Sequence, residues 1–475
     1  MWFRNDLRLK HNPAFHAAAT SDLPVLCLYI LENGRTDFRA MGAASKWWAD
    51  KSIASLDRAL KDRGGSLHLR SSSSEDDTYA IFKDLTNAFD VQNVFWNRRY
   101  AKYDRDFDAS VKSELKDLGV NVCTFNGNLL MEPWQVTTKD DQPYKVFTPF
   151  WKSLKGQFEP NHPQRTPDCE LVNHKGEALE SWKLHPTSPD WSDGLEDAWT
   201  PGEDGAMNRL SSFLDGDISG YPTERDRPDL RSTSRLSPYL AFGEISPHQI
   251  WRSTQAAMET GKVSDTDGWA FLREVGWRDF SYSLIFQADA LHRNNWNDRF
   301  DGFEWGRNES AQTAWQKGQT GYPIVDAGMR ELWQSGWMHN RVRMIVASFL
   351  IKHLMIDWRE GEEWFWDTLV DADCANNPAS WQWVAGSGAD AAPYFRIFNP
   401  ITQGQKFDPN GDYVRKWIPE IGNLPTRYLH APWEASGAVL KDAGITLGKT
   451  YPKPIVEHKR ARERALEAYE ATKAS

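Results

Sequence analysis

Cysteine is scarce in this chain: four residues, Cys27, Cys123, Cys169 and Cys374, are scattered through 475 positions. None is spaced as a metal finger or a C-x-x-C redox pair, so reduced thiols are expected and a disulfide framework is excluded. The twelve histidines show no paired ligand spacing either, and no metal is expected. No apolar run reaches the length of a helical membrane span, and the N-terminus lacks a basic-then-apolar leader; a cytoplasmic protein is expected. An excess of basic residues is missing too. Asp and Glu total 66 against 56 Lys and Arg, a formal net charge of −10. That balance argues against indiscriminate nucleic-acid binding but leaves room for a local basic patch. No G-x-G-x-x-G follows the first β-rich run, so the sequence gives no support to a dinucleotide-binding function.

Tryptophan is what the chain has in quantity, 24 residues, and large core packing accounts for many of them. A chain of this length exceeds one ordinary core, so two or more domains are expected. Residues 1–127 alternate β-rich runs (Pro24 to Tyr29, Ser66 to Leu69, Val94 to Trp96, Val120 to Phe125) with helical segments such as Ala43 to Lys61 and Tyr103 to Leu118. Helix, glycine and strand follow one another at Leu118-Gly119-Val120, the re-entry expected of a parallel sheet. Residues 128–199 are rich in Pro, Asp, Ser and Trp and read as a long interdomain linker. From about residue 200 to 475 helical periodicity dominates, with Met329, Leu332, Trp333, Val342, Ile345, Val346, Phe349 and Leu350 expected on buried faces. The fold class is therefore an α/β parallel-sheet domain, a linker and an all-α domain, closed by a charged helix from His458 to Lys473.

Four stretches carry more chemistry than packing needs. Asp371-Ala372-Asp373 leads through Asn376-Asn377 to Trp381 and Trp383, then to a Gly-Ser-Gly and on to Pro400. Carboxylate acceptors, amides and indole faces suit a heteroaromatic ligand, and a capped Trp-bearing helix fits the same residues equally well. Thr233-Ser234-Arg235-Leu236-Ser237, preceded by Tyr221 and Arg231, sets hydroxyls and backbone N–H groups before an apolar helix; an anion site is one reading, an ordinary Ser/Pro cap the simpler one. On the run Phe271 to Phe280, Glu274, Trp277 and Arg278 share a helix face, either as ligand contacts or as a surface ion pair. Asn340 and Met344 lie one turn apart, with Arg341 beside them available to a phosphate.

Taken together, these stretches, with Trp2-Phe3-Arg4-Asn5-Asp6-Leu7-Arg8 at the start and Thr402-Gln403-Gly404-Gln405-Lys406-Phe407-Asp408 near the end, resemble the photolyase/cryptochrome family, and within it the bacterial photolyases for cyclobutane pyrimidine dimers. The resemblance implies an N-terminal antenna domain and a helical domain that binds FAD in a U shape. It assigns Tyr221, Thr233, Ser234, Arg235, Leu236, Ser237, Phe271, Arg278, Asp371, Ala372, Asp373 and Asn377 to FAD, with Asn377 beside flavin N5. It assigns Arg225, Glu274, Trp277, Asn340, Arg341, Met344, Trp383 and Gln403 to lesion-bearing DNA. Trp305, Trp358 and Trp381 match an electron-carrying chain of tryptophans.

The implied activity is light-driven repair of a base-flipped dimer, in which an electron passes from photoexcited reduced FAD to the lesion and returns after the ring splits. Members that repair (6–4) photoproducts carry two histidines where this chain has Asn340 and Met344, which points to the cyclobutane dimer. A (6–4) photolyase and a cryptochrome-type blue-light receptor are the alternatives; a flavin-dependent dark oxidoreductase lacks any motif for its nicotinamide. For a second antenna chromophore the resemblance leaves folate or deazaflavin, another flavin, or an empty site open, with folate disfavoured because Leu291-His292-Arg293 stands where folate-binding members have a lysine. An iron–sulfur cluster is excluded, as only Cys374 lies in the half that would hold it. A monomer acting at the nucleoid is expected. Family members have apolar residues ahead of the segment matching Trp2, so either the first strand is short or the start lies upstream.

Overall fold

The computed structural model describes residues 1–33, 39–161, 165–390 and 395–474. Ala391 to Tyr394, part of the stretch read above as a ligand segment, lie outside the described residues.

The first 125 residues alternate strand and helix. Strands β1 (Trp2–Phe3), β2 (Cys27–Glu32) and β3 (Leu67–Ser72) form one parallel sheet, and β4 (Asn93–Asn97) pairs β5 (Asn121–Phe125) in a second parallel pair. Each crossover is helical: Pro13–Ala19, Ala43–Lys61, Glu75–Phe89 and Lys102–Asp117. Parallel strands require such crossovers, and the apolar strand runs follow because both sheet faces are covered. Gly119 takes φ +80° after the helix Lys102–Asp117, a left-handed turn that only glycine makes without a Cβ penalty, and the chain re-enters as β5. Trp2, Leu28, Ile30, Val94 and Trp96 from the strands pack against Ile81, Phe82, Leu85, Phe107, Val111 and Leu115 from two helices.

Buried charges meet in matched sets around Asp108. Arg4 donates to both oxygens of Asp108 at 2.7 Å. Arg99 reaches Glu32 at 2.6 Å, Asp108 at 2.6 Å and Asp104 at 3.1 Å. Burial alone would push the Asp108 carboxyl up, but Arg4 and Arg99 together hold it below its ordinary value.

Two compact units divide the chain without following its order. The first comprises Met1–Ser219, Ser234–Ala290 and Val370–Ala375; the second comprises Gly220–Thr233, Leu291–Leu369 and Asn376–Ser475. Among the described residues no strand follows Phe125, and the rest of the chain is helices and connections, as the α/β-then-α expectation holds. Within the stretch read as a linker lies the helix Phe147–Gln157. Its Phe147 and Phe150 pack on Trp277 and Phe280 of the helix Asp265–Gln287.

In the second unit the expected buried faces form around Met329, Leu332, Val342, Ile345, Val346, Phe349 and Leu350. Trp333 departs from the pattern: it is 61% exposed and stacks on Trp364 at 6.1 Å. A helix stripe three to four residues wide has an edge, and Trp333, next to Leu332, falls over it. The closing helix, His458–Ala474, buries Ala465 against Phe300, Phe303, Met355 and Phe395, with Trp305 packed at the same cluster.

Candidate functional site

In the first unit the helix Asp265–Gln287 is the organising element. Ser264 caps it by accepting the Asp267 N–H, and Asp265 and Asp267 complement its N-terminal dipole. Asp279 accepts the backbone N–H groups of Leu130 at 2.8 Å and Met131 at 3.2 Å, and burial pushes its carboxyl up to about 7. Arg278 is buried, donates to the Asn128 carbonyl at 2.5 Å and lies 4.7 Å over the Tyr282 ring. Tyr282 in turn donates to Asp373 at 2.7 Å, and Asp373 accepts the Ala375 N–H at 2.8 Å. Arg278 and Asp373, separated by 95 positions in sequence, are thus brought to the same tyrosine. Phe271 packs on Phe213 at 4.7 Å. Trp277 gives one indole face to Phe147 at 3.6 Å, and Glu274 is half-buried one turn before Arg278.

The Ser234 segment turns sharply. Arg235 holds φ +52°, a left-handed conformation uncommon for a residue with a Cβ, and its guanidinium lies 4.4 Å over Trp199. The Ser234 carbonyl accepts from Arg209 Nε at 2.8 Å, and Ser234 Oγ accepts the Leu236 N–H at 3.4 Å. The helix that follows, Ser237–Ala241, is one turn long.

In the second unit Asn377 and Trp381 stand one turn apart on the helix Asn376–Ala385, and both rest on the helix Trp358–Thr368. Asn377 Nδ2 donates to Glu362 Oε1 at 2.8 Å and to the Glu362 carbonyl at 3.0 Å. Gly361 makes room for the indole, since a Cβ there would lie 2.2 Å from Trp381 Cη2. Phe365 and Trp315 complete the wall around Trp381 at 5.0 Å and 6.4 Å. Trp358 opens the supporting helix, fully buried, its Nε1 donating to Asn295 at 2.9 Å. Trp305 is half-buried against Phe303 at 4.3 Å.

The same unit carries an arginine face. The Arg225 guanidinium lies 5.6 Å over Tyr221. Arg341 pairs with Asp226 at 2.7 Å, lies 4.5 Å over Phe407 and approaches the Met344 sulfur at 3.8 Å. Asn340 is exposed at the start of the helix Asn340–Ser348, and His339 caps that helix by accepting the Arg341 N–H at 3.2 Å. Burial pushes the His339 imidazole down to about 4. Gln403 lies one turn before Phe407 on the helix Pro400–Phe407, and its Oε1 is buried without a partner among the described residues. Trp383 is half-buried.

Sequence reasoning passed over Glu362, Gly361 and Asp226. Gly361 carried a signal, because a glycine inside a helical run marks a close approach. Asp226 carried none, since a charged residue in a loop is ordinary.

Comparisons with known proteins identify the family. The model of the DNA photolyase family matches residues 1–168, and that of the FAD binding domain of DNA photolyase matches residues 271–471. A deoxyribodipyrimidine photo-lyase of Agrobacterium fabrum is 51% identical, with 100% of this chain and 98% of that protein covered. Cryptochrome-1 of Arabidopsis thaliana is 36% identical over 98% of this chain and 69% of its own length. The crystal structure of a bacterial class III photolyase from Agrobacterium tumefaciens superposes with a TM-score of 0.95 at 50% identity, covering 100% of this chain and 97% of that one. The chain belongs to the photolyase/cryptochrome family. Its enzyme class is that of the photolyases, and its helical half is an FAD-binding domain.

The residues present fit that cofactor. With the Asn377 amide donating to Glu362, its Oδ1 is the atom left to accept from a ring N–H of the kind a reduced flavin carries. Among the described residues no helix is long and apolar enough to cross a membrane.

Proposed function

We propose that this protein repairs cyclobutane pyrimidine dimers in DNA under blue light, binding the lesion flipped out of the duplex. FAD would be held by Tyr221, Thr233, Ser234, Arg235, Leu236, Ser237, Phe271, Arg278, Asp371, Ala372, Asp373 and Asn377. When bound and reduced, it supplies on illumination the electron that splits the dimer. The chain's own work is positional. Glu362 fixes the Asn377 amide so that it presents an acceptor, and Tyr282 and Arg278 fix Asp373 and its segment. Glu274 and Trp277 would meet the lesion, with Asn340, Met344, Trp383 and Gln403 around it and Arg225 and Arg341 on phosphate. Trp381, Trp358 and Trp305 would carry an electron inward when the flavin is oxidised.

The observation that carries the choice of lesion is the absence of a usable imidazole at the helix Asn340–Ser348. Asn340 and Met344 cannot donate a proton as an acid. The neighbouring His339 has Nδ1 engaged as a cap and is held neutral by burial. Such a site suits a reaction driven by an electron and not one needing acid catalysis.

We further propose residues 1–127 as the antenna domain, 128–199 as the linker and 200–475 as the catalytic domain, in a monomer working in the cytoplasm. A hollow of about 140 Å³ lined by Leu31, Glu32, Met41, Lys46 and Trp182 is the place we propose for testing a second chromophore.

The test illuminates reduced protein with duplexes carrying either a cyclobutane dimer or a (6–4) photoproduct. Loss of the cyclobutane dimer alone is expected. Repair of the (6–4) lesion would overturn the lesion assignment, and repair of neither by FAD-loaded protein would favour the photoreceptor reading.

A further inference from the structure

The ion pair between Arg341 and Asp226 sets a carboxylate inside the face that the proposed function turns toward phosphate. Arg341 Nη2 meets Asp226 Oδ2 at 2.7 Å, and both side chains remain partly open to solvent, 17% for Arg341 and 31% for Asp226. The guanidinium plane is fixed from a second side by Phe407 at 4.5 Å and from a third by the Met344 sulfur at 3.8 Å. Asp226 directly follows Arg225, and Arg227 beside it is already committed to Asp229 in a two-point pair. Two buried polar atoms on this face have no partner among the described residues: Arg341 Nε, a donor, and Gln403 Oε1, an acceptor on the helix that carries Phe407. Donor and acceptor left open beside a held arginine are what an incoming polar ligand completes.

We infer that Asp226 is a specificity-determining residue, a carboxylate that suppresses binding of intact duplex and thereby raises preference for the lesion. The inference rests on the proposed function and deepens it. A paired Arg341 adds little net positive charge, so an ordinary DNA backbone gains little from it and meets the Asp226 carboxylate as well. What Asp226 supplies in return is orientation: a guanidinium fixed in plane and position against Met344, ready for the one geometry a lesion-bearing strand presents. The cost falls on all DNA, and the orientation benefits only DNA that fills the lesion site. Discrimination of this kind needs a repulsive element as well as an attractive one.

Asp226→Asn keeps the side-chain shape and removes the charge. Binding of FAD-loaded protein to intact and to dimer-containing duplexes, each followed across a salt series, is the experiment. Affinity for intact duplex should rise by roughly three- to tenfold at low salt, and its log–log salt slope should steepen by about one unit, as one more phosphate is neutralised. The lesion-to-intact ratio should fall by a similar factor, and Asp226→Glu should keep most of it. Equal loss of both affinities would make Asp226 a structural support, equal gain would make it a plain brake on all DNA, and no change would make it idle; each overturns the inference. Unfolding of Asp226→Asn, seen as loss of bound FAD, would overturn it in favour of the structural role if Asp226→Glu also fails to keep the ratio. A wild-type protein with no lesion preference would instead defeat the proposed function.

Discussion

Arginine has two lives in this molecule. In the sheet-bearing unit Arg4 and Arg8 are buried and Arg99 nearly so, and each is held by several acceptors: Arg4 and Arg99 by carboxylates, Arg8 by the carbonyls of His11, Gly127 and Gly243. In the second unit Arg225 and Arg341 are partly exposed and laid against aromatic rings, and Arg341 pairs with Asp226. The first kind holds strands and helices in register, because an unmatched buried charge costs several kcal/mol. The second kind is cheap to hold and keeps part of the guanidinium open to solvent, which is what phosphate recognition needs. An acidic chain can therefore present a DNA-binding face: exposure and partnering decide, not the count of basic residues.

The largest effect should come from breaking the first kind. Arg99→Ala removes the guanidinium that Glu32, Asp104 and Asp108 share, and equilibrium denaturation should show a loss of about 3–5 kcal/mol. A loss below about 1 kcal/mol would erase the distinction.

Stability against pH tests the same unit a second way. Burial pushes Glu244 up from 4.5 to about 8, while its Oε1 accepts from Trp48 at 3.1 Å and Gly202 at 2.7 Å. The folded state thus binds a proton that the unfolded state gives up near 4.5, so this contribution is full below that pH and is lost as pH rises through about 8. Glu244→Gln should flatten the decline between those limits, gaining on the order of a few kcal/mol at pH 8 relative to pH 5. Asp279, raised to about 7, contributes a decline of the same sign that the variant keeps.

In the second unit function should move while the fold holds. Trp381→Phe keeps an aromatic ring against Gly361 and Phe365 but is far harder to oxidise, so photoreduction with an external reductant should fall by at least about tenfold, at a stability cost of roughly 1–2 kcal/mol. Pre-reduced variant should still repair dimers. Normal photoreduction would direct the electron through another neighbour, and Trp315 is in ring contact. The smallest effect is the sharpest for the comparison: Arg341→Ala should make the salt dependence of lesion binding shallower by about one log–log unit or less, with stability changed by under about 1 kcal/mol.

Much of the fold was legible because local signals agreed. The helix Ala43–Lys61 stands where its residues place it, and the re-entry at Gly119 needs the φ that glycine supplies. Trp333 was misread because a three- to four-residue pattern does not tell the centre of a buried stripe from its rim. The candidate segments stood out through their resemblance to a family, not through periodicity. What escaped was long-range: Glu362 under Asn377, Tyr282 joining Arg278 to Asp373, and Asp226 against Arg341 are pairings across 15 to 115 positions that no spacing rule encodes.

The most direct test of the account varies only the redox state of the flavin. Protein loaded with FAD is mixed with an oligonucleotide carrying one cyclobutane thymine dimer, either fully reduced or oxidised without external reductant, and dimer loss is followed in blue light and in the dark. Loss in the light with the reduced sample alone is the predicted result. Equal loss from both samples, loss in the dark, or an intact dimer after illumination of reduced protein that binds the oligonucleotide would contradict it.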